Sequence, residues 1–583
     1  MAESPASRTL PLAVWAPTAT TLRAVLPAGK DDGPDAWVSL TRDDAGVWHG
    51  ELPADTDYLF AVDDQAPRPD PRSPRQPHGI HGPSRTFDAG AFAWTDAGWR
   101  GRDVLGGVLY EIHVGTFTPE GTLDAAIGRL DYLATLGIDT VELMPIVPFP
   151  GDRGWGYDGV SLYAVHEAYG GPAALQRFVD AAHARGLAVC LDVVYNHFGP
   201  DGNYAPVFGP YFTDKHSTPW GSAINLDDEH ADGVRAFIVD NAVRWLRDFH
   251  VDALRLDAVH ALVDDSPRHI LAELSDAVAA FTQASGRVAT LIAESDENQV
   301  TTITPTADGG RGMDGQWADD VHHALHAWLT GERFGYYVDF GSEETLAHAF
   351  EHVFVHDGTF STFRNRTWGA PVPDDVERTR FVVFDQNHDQ VGNRGLGDRP
   401  SARLAPAQVA GGAALLLLSP FTPLLFQGEE WGTQRPFLFF TDHSAELGAA
   451  VTRGRRAEFA THGWAELYGP DVTIPDPQAL DTFAASRLDW DEPTSPAHAP
   501  LLGWYRTLLR LRREHLGEAR QEFSTAHGTG WFSFRNGPLR VTVAAHADTT
   551  VPAAGSLVAA FGSVEQAPGA IRLICPAVAV TLE

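Results

Sequence analysis

Cysteine is nearly absent: the chain has two, Cys190 inside an apolar run and Cys575 near the C-terminus. Two thiols build neither a disulfide framework nor a cysteine zinc site, so reduced thiols in a reducing compartment, the cytoplasm by default, are expected. Long hydrophobic runs are missing as well, and no uninterrupted apolar stretch reaches the length needed to cross a bilayer. The opening MAESPASRTLPLAVWAP lacks a basic segment followed by an apolar block, so it does not read as a secretory signal. Positive charge is scarce. Lys and Arg number 43 against 77 Asp and Glu, a formal charge of −34, which repels nucleic acid and anionic membranes and leaves a neutral ligand as the expected partner.

What is present is the composition of a folded globular protein, with 44% hydrophobic and 21% charged residues. At 583 residues the chain exceeds one hydrophobic core, and two to four domains are expected. The 16 Trp, 13 Tyr and 31 Phe supply flat apolar faces, most for core and some for stacking on sugar rings.

Residues 1–95 hold short alternating apolar stretches, LPLAVWAP and TDYLFAVD, broken by Pro, Gly and Asp: the pattern of a small β-sandwich. The segment PRPDPRSPRQPHGIHGPSR reads as a linker lying over the next domain, and a boundary falls near residue 100. From 96 to 520, strand-length apolar runs alternate with amphipathic helices. GVLYEIHVG, DTVELMPI, LAVCLDVVYNH, VDALRLD, VATLIAES, GMDGQW, FVVFDQNHD and TPLLFQGEE make eight strands, GMDGQW with the weakest pattern. Eight closes a parallel (β/α)8 TIM barrel of the α/β class. A turn-rich excursion at about 198–232 interrupts the series after the third strand. Residues 521–583 read as a second small β-domain.

In such a barrel the active site lies where the strands end. There the third run carries Asn196 and His197, the fourth Arg255 and Asp257, the fifth Glu294, and the seventh Asn387, His388 and Asp389. Arg255 and Asp257, two apart, share one strand face. A single strand end of this kind is an ordinary cap or a satisfied ion pair, but four converging on one mouth point to chemistry. No zincin-type histidine pair accompanies the carboxylates, which excludes that metal site. His322, His323 and His326 of VHHALHAWL read as surface or packing residues. No metal and no cofactor are expected.

The segments LDVVYNH, LRLDAVH, LIAES and QNHDQ, in this order, resemble the four strand-end motifs of the α-amylase superfamily of retaining α-glucan enzymes, glycoside hydrolase family 13. The resemblance implies Asp257 as nucleophile, Glu294 as general acid/base and Asp389 as transition-state stabiliser, with Arg255, His197 and His388 orienting them and holding the sugar, and His260 nearby. Arg255 should keep the Asp257 carboxyl low and anionic. The apolar strand and neighbouring carboxylates should raise Glu294 so that it can protonate a leaving oxygen.

Outside these motifs, YEIHVGTFTPEGT, GWGYDGV, YFTDKHSTPWGSAIN, GQWADDVHHALHAWLTGERFGYYVDF, TPLLFQGEEWG and FFTDH resemble the malto-oligosyltrehalose trehalohydrolase family. That resemblance implies cleavage of the α-1,4 bond next to the terminal trehalose of malto-oligosyl trehalose, a step of trehalose biosynthesis. It is expected to place Tyr157 as a stacking platform and Trp220, Tyr337, Phe363 and Arg364 in the walls of the leaving-group subsites. Asp385 departs from the pattern, where an apolar or small residue is expected. Asn196 stands where calcium-dependent relatives supply a ligand and is expected here to hold a loop. The rival readings are an α-1,4-glucan branching enzyme and a catalytically inactive glucan-binding protein. QNHDQVGNR lacks the acidic pair that branching enzymes carry after the seventh strand, and no catalytic carboxylate is missing.

Overall fold

In the computed structural model, which describes residues 8–28, 35–459, 464–469, 471–517, 521–552 and 555–583, the eight apolar runs form parallel strands that close into a barrel. In chain order they are β1 (Leu109–Ile112), β2 (Thr140–Leu143), β3 (Ala188–Val193), β4 (Ala253–Leu256), β5 (Thr290–Ala293), β6 (Gly315–Trp317), β7 (Phe381–Phe384) and β8 (Thr422–Phe426). Each pairs with the next, and β8 returns to β1 with Leu424 opposite Leu109. The weakest sequence pattern, GMDGQW, yields the shortest strand, of three residues.

Side chains alternate along a strand, so one parity of each strand points into the barrel. Toward the N-terminal ends this inward set is apolar, and Leu109, Cys190, Ala253, Ile292, Val382 and Leu424 belong to one buried cluster. Two residues further along the same strands come Glu111, Asp192 and Arg255, joined by Glu142 of β2, which lies opposite Glu111 in the register. All four are buried. The barrel interior therefore turns from apolar to charged as it approaches the C-terminal mouth.

Helices with apolar residues recurring at three and four cover the outside, as Gly171–His183 does with Ala174, Leu175, Phe178, Val179 and Ala182 inward. The segment LDAAIGRLDYLATLG breaks at Gly128 into Leu123–Ile127 and Leu130–Leu136. Gly137 closes the second at φ 110°, a left-handed cap that suits glycine. The excursion after β3 contains more than turns: a short helix, Ala205–Phe208, and a hairpin of Phe212–Thr218 with Gly221–Ile224. A second excursion follows β6, with helices Asp319–Thr330 and Glu343–His352 and a hairpin of Thr359–Ser361 with Arg366–Trp368.

Two antiparallel sheets precede the barrel, one ordered Thr9–Trp15, Val47–Pro53, Thr41–Arg42, the other Ala36–Ser39, Leu22–Leu26, Asp57–Val62, Ser84–Arg85. The Pro-rich linker is pinned to the barrel's helices by Arg72 to Asp240 and Arg75 to Glu167, each at 2.8 Å. The C-terminal strands Phe523–Gly528, Trp531–Asn536, Leu539–Ala544, Thr549–Pro552 and Ser556–Ala567 are joined through the long strand Ala570–Leu582. Trp15 of the first sheets and Phe532, Val541 and Val580 of the last share one continuous core with the barrel helices. Both flanking units thus support the barrel rather than hang from it.

Candidate active site

The inward parity of β4 carries Arg255 and then Asp257 to the mouth. Arg255 Nη1 donates to Asp257 Oδ1 at 2.9 Å and to Asp192 Oδ2 at 2.8 Å, and Nη2 lies 3.0 Å from Glu294 Oε2. Its guanidinium rests 4.2 Å above the Trp317 ring of β6. Arg255 is fully buried, while the side chains of Asp257, Glu294 and Asp389 are 12%, 20% and 36% exposed. The cation is therefore the floor of the site, and the three carboxyls open above it.

Asp257 and Glu294 share this one cation and titrate in opposite directions. Burial pushes the Asp257 carboxyl up, but Arg255 and the Asn196 amide outweigh it and hold it below the usual range. Asn196 Nδ2 donates to both Oδ2 and the carbonyl of Asp257 at 2.8 Å, and its Oδ1 meets His197. Burial raises Glu294 well above the usual range, and although Arg255 opposes this, Asp257 and Asp389 add to it. Glu294 Oε2 accepts from the Ala258 amide at 2.8 Å. Ala258 takes a left-handed φ of 40° to aim that amide, a conformation costing a Cβ-bearing residue about 1 kcal/mol or more. The two neighbouring carboxyls are thus shifted in opposite directions, Asp257 toward the anion and Glu294 toward the acid.

On the β7 side, His388 is buried between Glu111 and Tyr157. Its Nδ1 is 2.5 Å from Glu111 Oε1, its backbone amide donates to Glu111 Oε2 at 2.9 Å, and its Nε2 is 2.7 Å from the Tyr157 hydroxyl. Burial would lower the imidazole, but Glu111 and Asp389 raise it to about 10. Asp389 lies 3.6 Å from His388 Nε2 and accepts from Asn393 at 2.9 Å. Tyr157 donates to Asp192 Oδ2 at 2.7 Å, and its half-buried ring lies against that of His388, centroids 5.2 Å apart. His197 reaches the Tyr157 carbonyl at 2.9 Å.

A cavity of about 380 Å³ opens beside Asp389, lined among others by Asp296, Asp319, Tyr336, Tyr337, Phe363 and Arg364. Phe363 is exposed, Tyr337 is buried, and Arg364 reaches Asp296 at 3.3 Å. His260 stands at the rim, 3.8 Å from Asp296. Trp220 is not in this cavity: it stacks on His197 with ring centroids 4.5 Å apart and planes 5° from parallel. The structure therefore brings Tyr337, Phe363 and Arg364 together and puts Trp220 on the His197 side of the mouth.

Sequence reasoning missed Glu111, Glu142, Asp192 and Asp319. Burial and Asp389 push Asp319 up to about 7, and burial with Glu111 pushes Glu142 up to about 8. The signal was available for the first three, since each interrupts an apolar strand as Arg255 does. His322, His323 and His326 are buried, so the surface alternative falls. Tyr337 stacks on His326, centroids 4.8 Å apart, and its hydroxyl is 3.2 Å from His322 Nε2. Asp385 follows inward-facing Phe384 and so points away from the mouth, toward Gly412 of the helix Pro406–Leu417. Burial raises it to about 6.

Asn196 directs its amide to Asp257. Among the described residues, the one His and carboxylate group with ligand spacing is His216 and Asp227 on the excursion after β3 with Asp265 of the loop after β4. There Lys215 already places its ammonium 2.9 Å from Asp227. No helix among the described residues is long and apolar enough to cross a membrane.

Residues 86–206 match the family described as alpha amylase, catalytic domain. The chain is 52% identical over 575 residues to the malto-oligosyltrehalose trehalohydrolase of Arthrobacter ramosus, covering 97% of this chain and 98% of the relative. A crystallised protein from Salmonella typhimurium superposes with a TM-score of 0.88 at 36% identity, covering 100% of this chain and 98% of its own. The rival is more distant: a 1,4-alpha-glucan branching enzyme from Bacillus caldolyticus is 29% identical over 340 residues, 52% of this chain and 50% of that enzyme. On this full-length identity, with the closed barrel and the carboxyl cluster at its mouth, the chain belongs to the malto-oligosyltrehalose trehalohydrolase family of the α-amylase superfamily.

Proposed function

We propose that the protein is a retaining glycoside hydrolase that cuts the α-1,4 bond next to the terminal trehalose of malto-oligosyl trehalose. Asp257 attacks the anomeric carbon and forms a glycosyl ester, while Glu294 gives its proton to the departing trehalose oxygen. Glu294, now ionised, takes a proton from water, whose oxygen displaces Asp257 and restores both groups with net retention. Sharing one guanidinium holds the two carboxyls close, as the roughly 5 Å separation of a retaining pair requires. Asp389 grips sugar hydroxyls as the ring flattens toward an oxocarbenium ion, with the His388 imidazole behind it. Arg255 and His197 orient these groups.

The observation that carries the specificity is the cavity beside Asp389, walled by Tyr337, Phe363 and Arg364. In this reading it receives the leaving disaccharide. Trehalose, bent at its α,α-1,1 linkage, fits such a pocket better than a straighter maltose unit, and a small misplacement of the scissile bond lowers the rate steeply. A cytoplasmic location is part of the same reading, supported by the free thiols of Cys190 and Cys575.

The test is product analysis on maltopentaosyl trehalose. Free trehalose and maltopentaose as sole products are expected. Glucose or maltose cut from within the chain would contradict the reading, and α-1,6 branches formed on a long glucan would establish a branching enzyme instead.

A further inference from the structure

The hydrogen bonds around His388 fix its charge, and Glu111 of β1 is one of its partners. Arg255 Nη1 and the Tyr157 hydroxyl both donate to Asp192 Oδ2, at 2.8 and 2.7 Å. A phenol has one hydrogen, so the Tyr157 oxygen can meet His388 Nε2, 2.7 Å away, only as an acceptor. His388 Nε2 therefore carries a proton. Nδ1 faces the Glu111 carboxylate at 2.5 Å and carries one too. An imidazole with hydrogen on both nitrogens is a cation.

We propose that Glu111 is a positioning residue that holds His388 as an imidazolium and so fixes the direction of the hydrogen-bond chain from His388 through Tyr157, Asp192 and Arg255 to Asp257. The inference rests on the reading of Asp257 and Glu294 as a retaining pair. Were His388 neutral, its Nε2 would become an acceptor, and the Tyr157 hydroxyl could turn from Asp192 to His388. Arg255 would then face an Asp192 lacking one partner, and its hold on Asp257 would shift. Glu111 is suited to prevent this: it is buried on β1, and its two oxygens take the Nδ1 hydrogen and the backbone amide of the same residue.

The charged and titratable groups facing His388 come from several elements. Glu111 (β1), Asp389 (its own turn), Asp192 (β3) and Glu142 (β2) favour the cation, and Arg255 (β4) and His113 (after β1) oppose it. Tyr157 accepts from it, and the Trp155 and Trp317 rings pack against it. Burial itself opposes the cation, and Glu111 is the largest influence against that. Removing the Glu111 charge should thus let His388 lose its proton within the neutral range.

The experiment follows kcat/KM for hydrolysis of a malto-oligosyl fluoride across pH. Fluoride leaves without a proton from Glu294, so titration of Glu294 drops out of the first step. Wild type should hold its rate to about pH 9. In Glu111→Gln the alkaline limb should move acid-ward by about two units or more, costing about twofold or more at pH 8, roughly tenfold or more at pH 9 and little at pH 5. Glu111→Asp keeps the charge, so its rate should fall while its limb stays within about half a unit of wild type. If the Gln variant does not fold, nitrogen-15 NMR of His388 in wild type at pH 8 decides: hydrogen on both ring nitrogens is expected, and a neutral tautomer would overturn the proposal. A Gln profile parallel to wild type, or an Asp limb as far acid-ward as the Gln limb, would overturn the proposal. The anomer released by wild type reports separately on retention: an α-product with an unmoved limb in Glu111→Gln sinks the Glu111 role and leaves the retaining pair intact.

Discussion

Asp257 and Glu294 are the same functional group on the same guanidinium, yet their surroundings shift their pKa values in opposite directions. Asp257 has Arg255 and two contacts from Asn196; Glu294 has one backbone amide and two neighbouring carboxylates. Activity needs Asp257 ionised, so it is lost as pH falls through a value below the usual carboxylate range. It needs Glu294 protonated, so it is lost as pH rises through a value well above that range, and a bell-shaped profile on the natural substrate is expected. Asp257→Asn should lower kcat by about 10⁴-fold or more with the fold intact, because an amide cannot form the ester; a folded, uncontaminated sample with near-normal rates would refute the nucleophile. Glu294→Gln should recover glycosylation on a malto-oligosyl fluoride far better than on the natural substrate, and equal losses on both would remove Glu294 as the acid. These residues were legible because each ends an apolar run with a charge. Glu111, Glu142 and Asp192 carry the same mark inside YEI, VEL and LDV. They escaped because their strands read as complete without them, and only the barrel register places them beneath the mouth.

The proposed specificity rests on the excursion after β6, whose Tyr336 and Tyr337 line one cavity with Asp389 of the turn after β7. Two residues ahead of Phe334, Glu332 takes both Arg394 nitrogens at 2.8 and 2.9 Å and His326 at 3.0 Å, which ties the two walls together. Burial would raise Glu332, but Arg394 and His326 outweigh it and lower it strongly. Its stabilisation is therefore present above the ordinary carboxylate pKa and lost as pH falls through the depressed value. Glu332→Gln should destabilise the fold by about 2 kcal/mol in denaturant titration, since it leaves buried Arg394 with Asp398 as its remaining carboxylate, and should raise KM for the natural substrate more than it lowers kcat. Unchanged stability and KM would show that the walls stand without this tie. At this scale the eight strands and the main helices were legible from periodicity. The hairpins of the excursions were not, because KHSTPWGSAI and TFSTFRNRTW are polar and half-exposed and offer no clean alternation.

At the scale of the whole molecule, a formal charge of −34 surrounds a site whose proposed substrate is neutral. Charge can then neither steer nor repel the substrate, and kcat/KM should vary less than about twofold between low and high salt; a steep salt dependence would point to a charged ligand instead. The flanking sheets share the barrel's core, and sequence could suggest their existence but not that sharing, which depends on long-range packing. The central claim is that the cleft beside Asp389 ends in a pocket shaped for trehalose. Its most direct test compares kcat/KM for maltotriosyl trehalose with that for maltopentaose, two substrates of equal length that differ only in the terminal linkage. A preference of about 100-fold or more for the trehalose-capped chain, with free trehalose released, is the result predicted; equal rates on the two would contradict it.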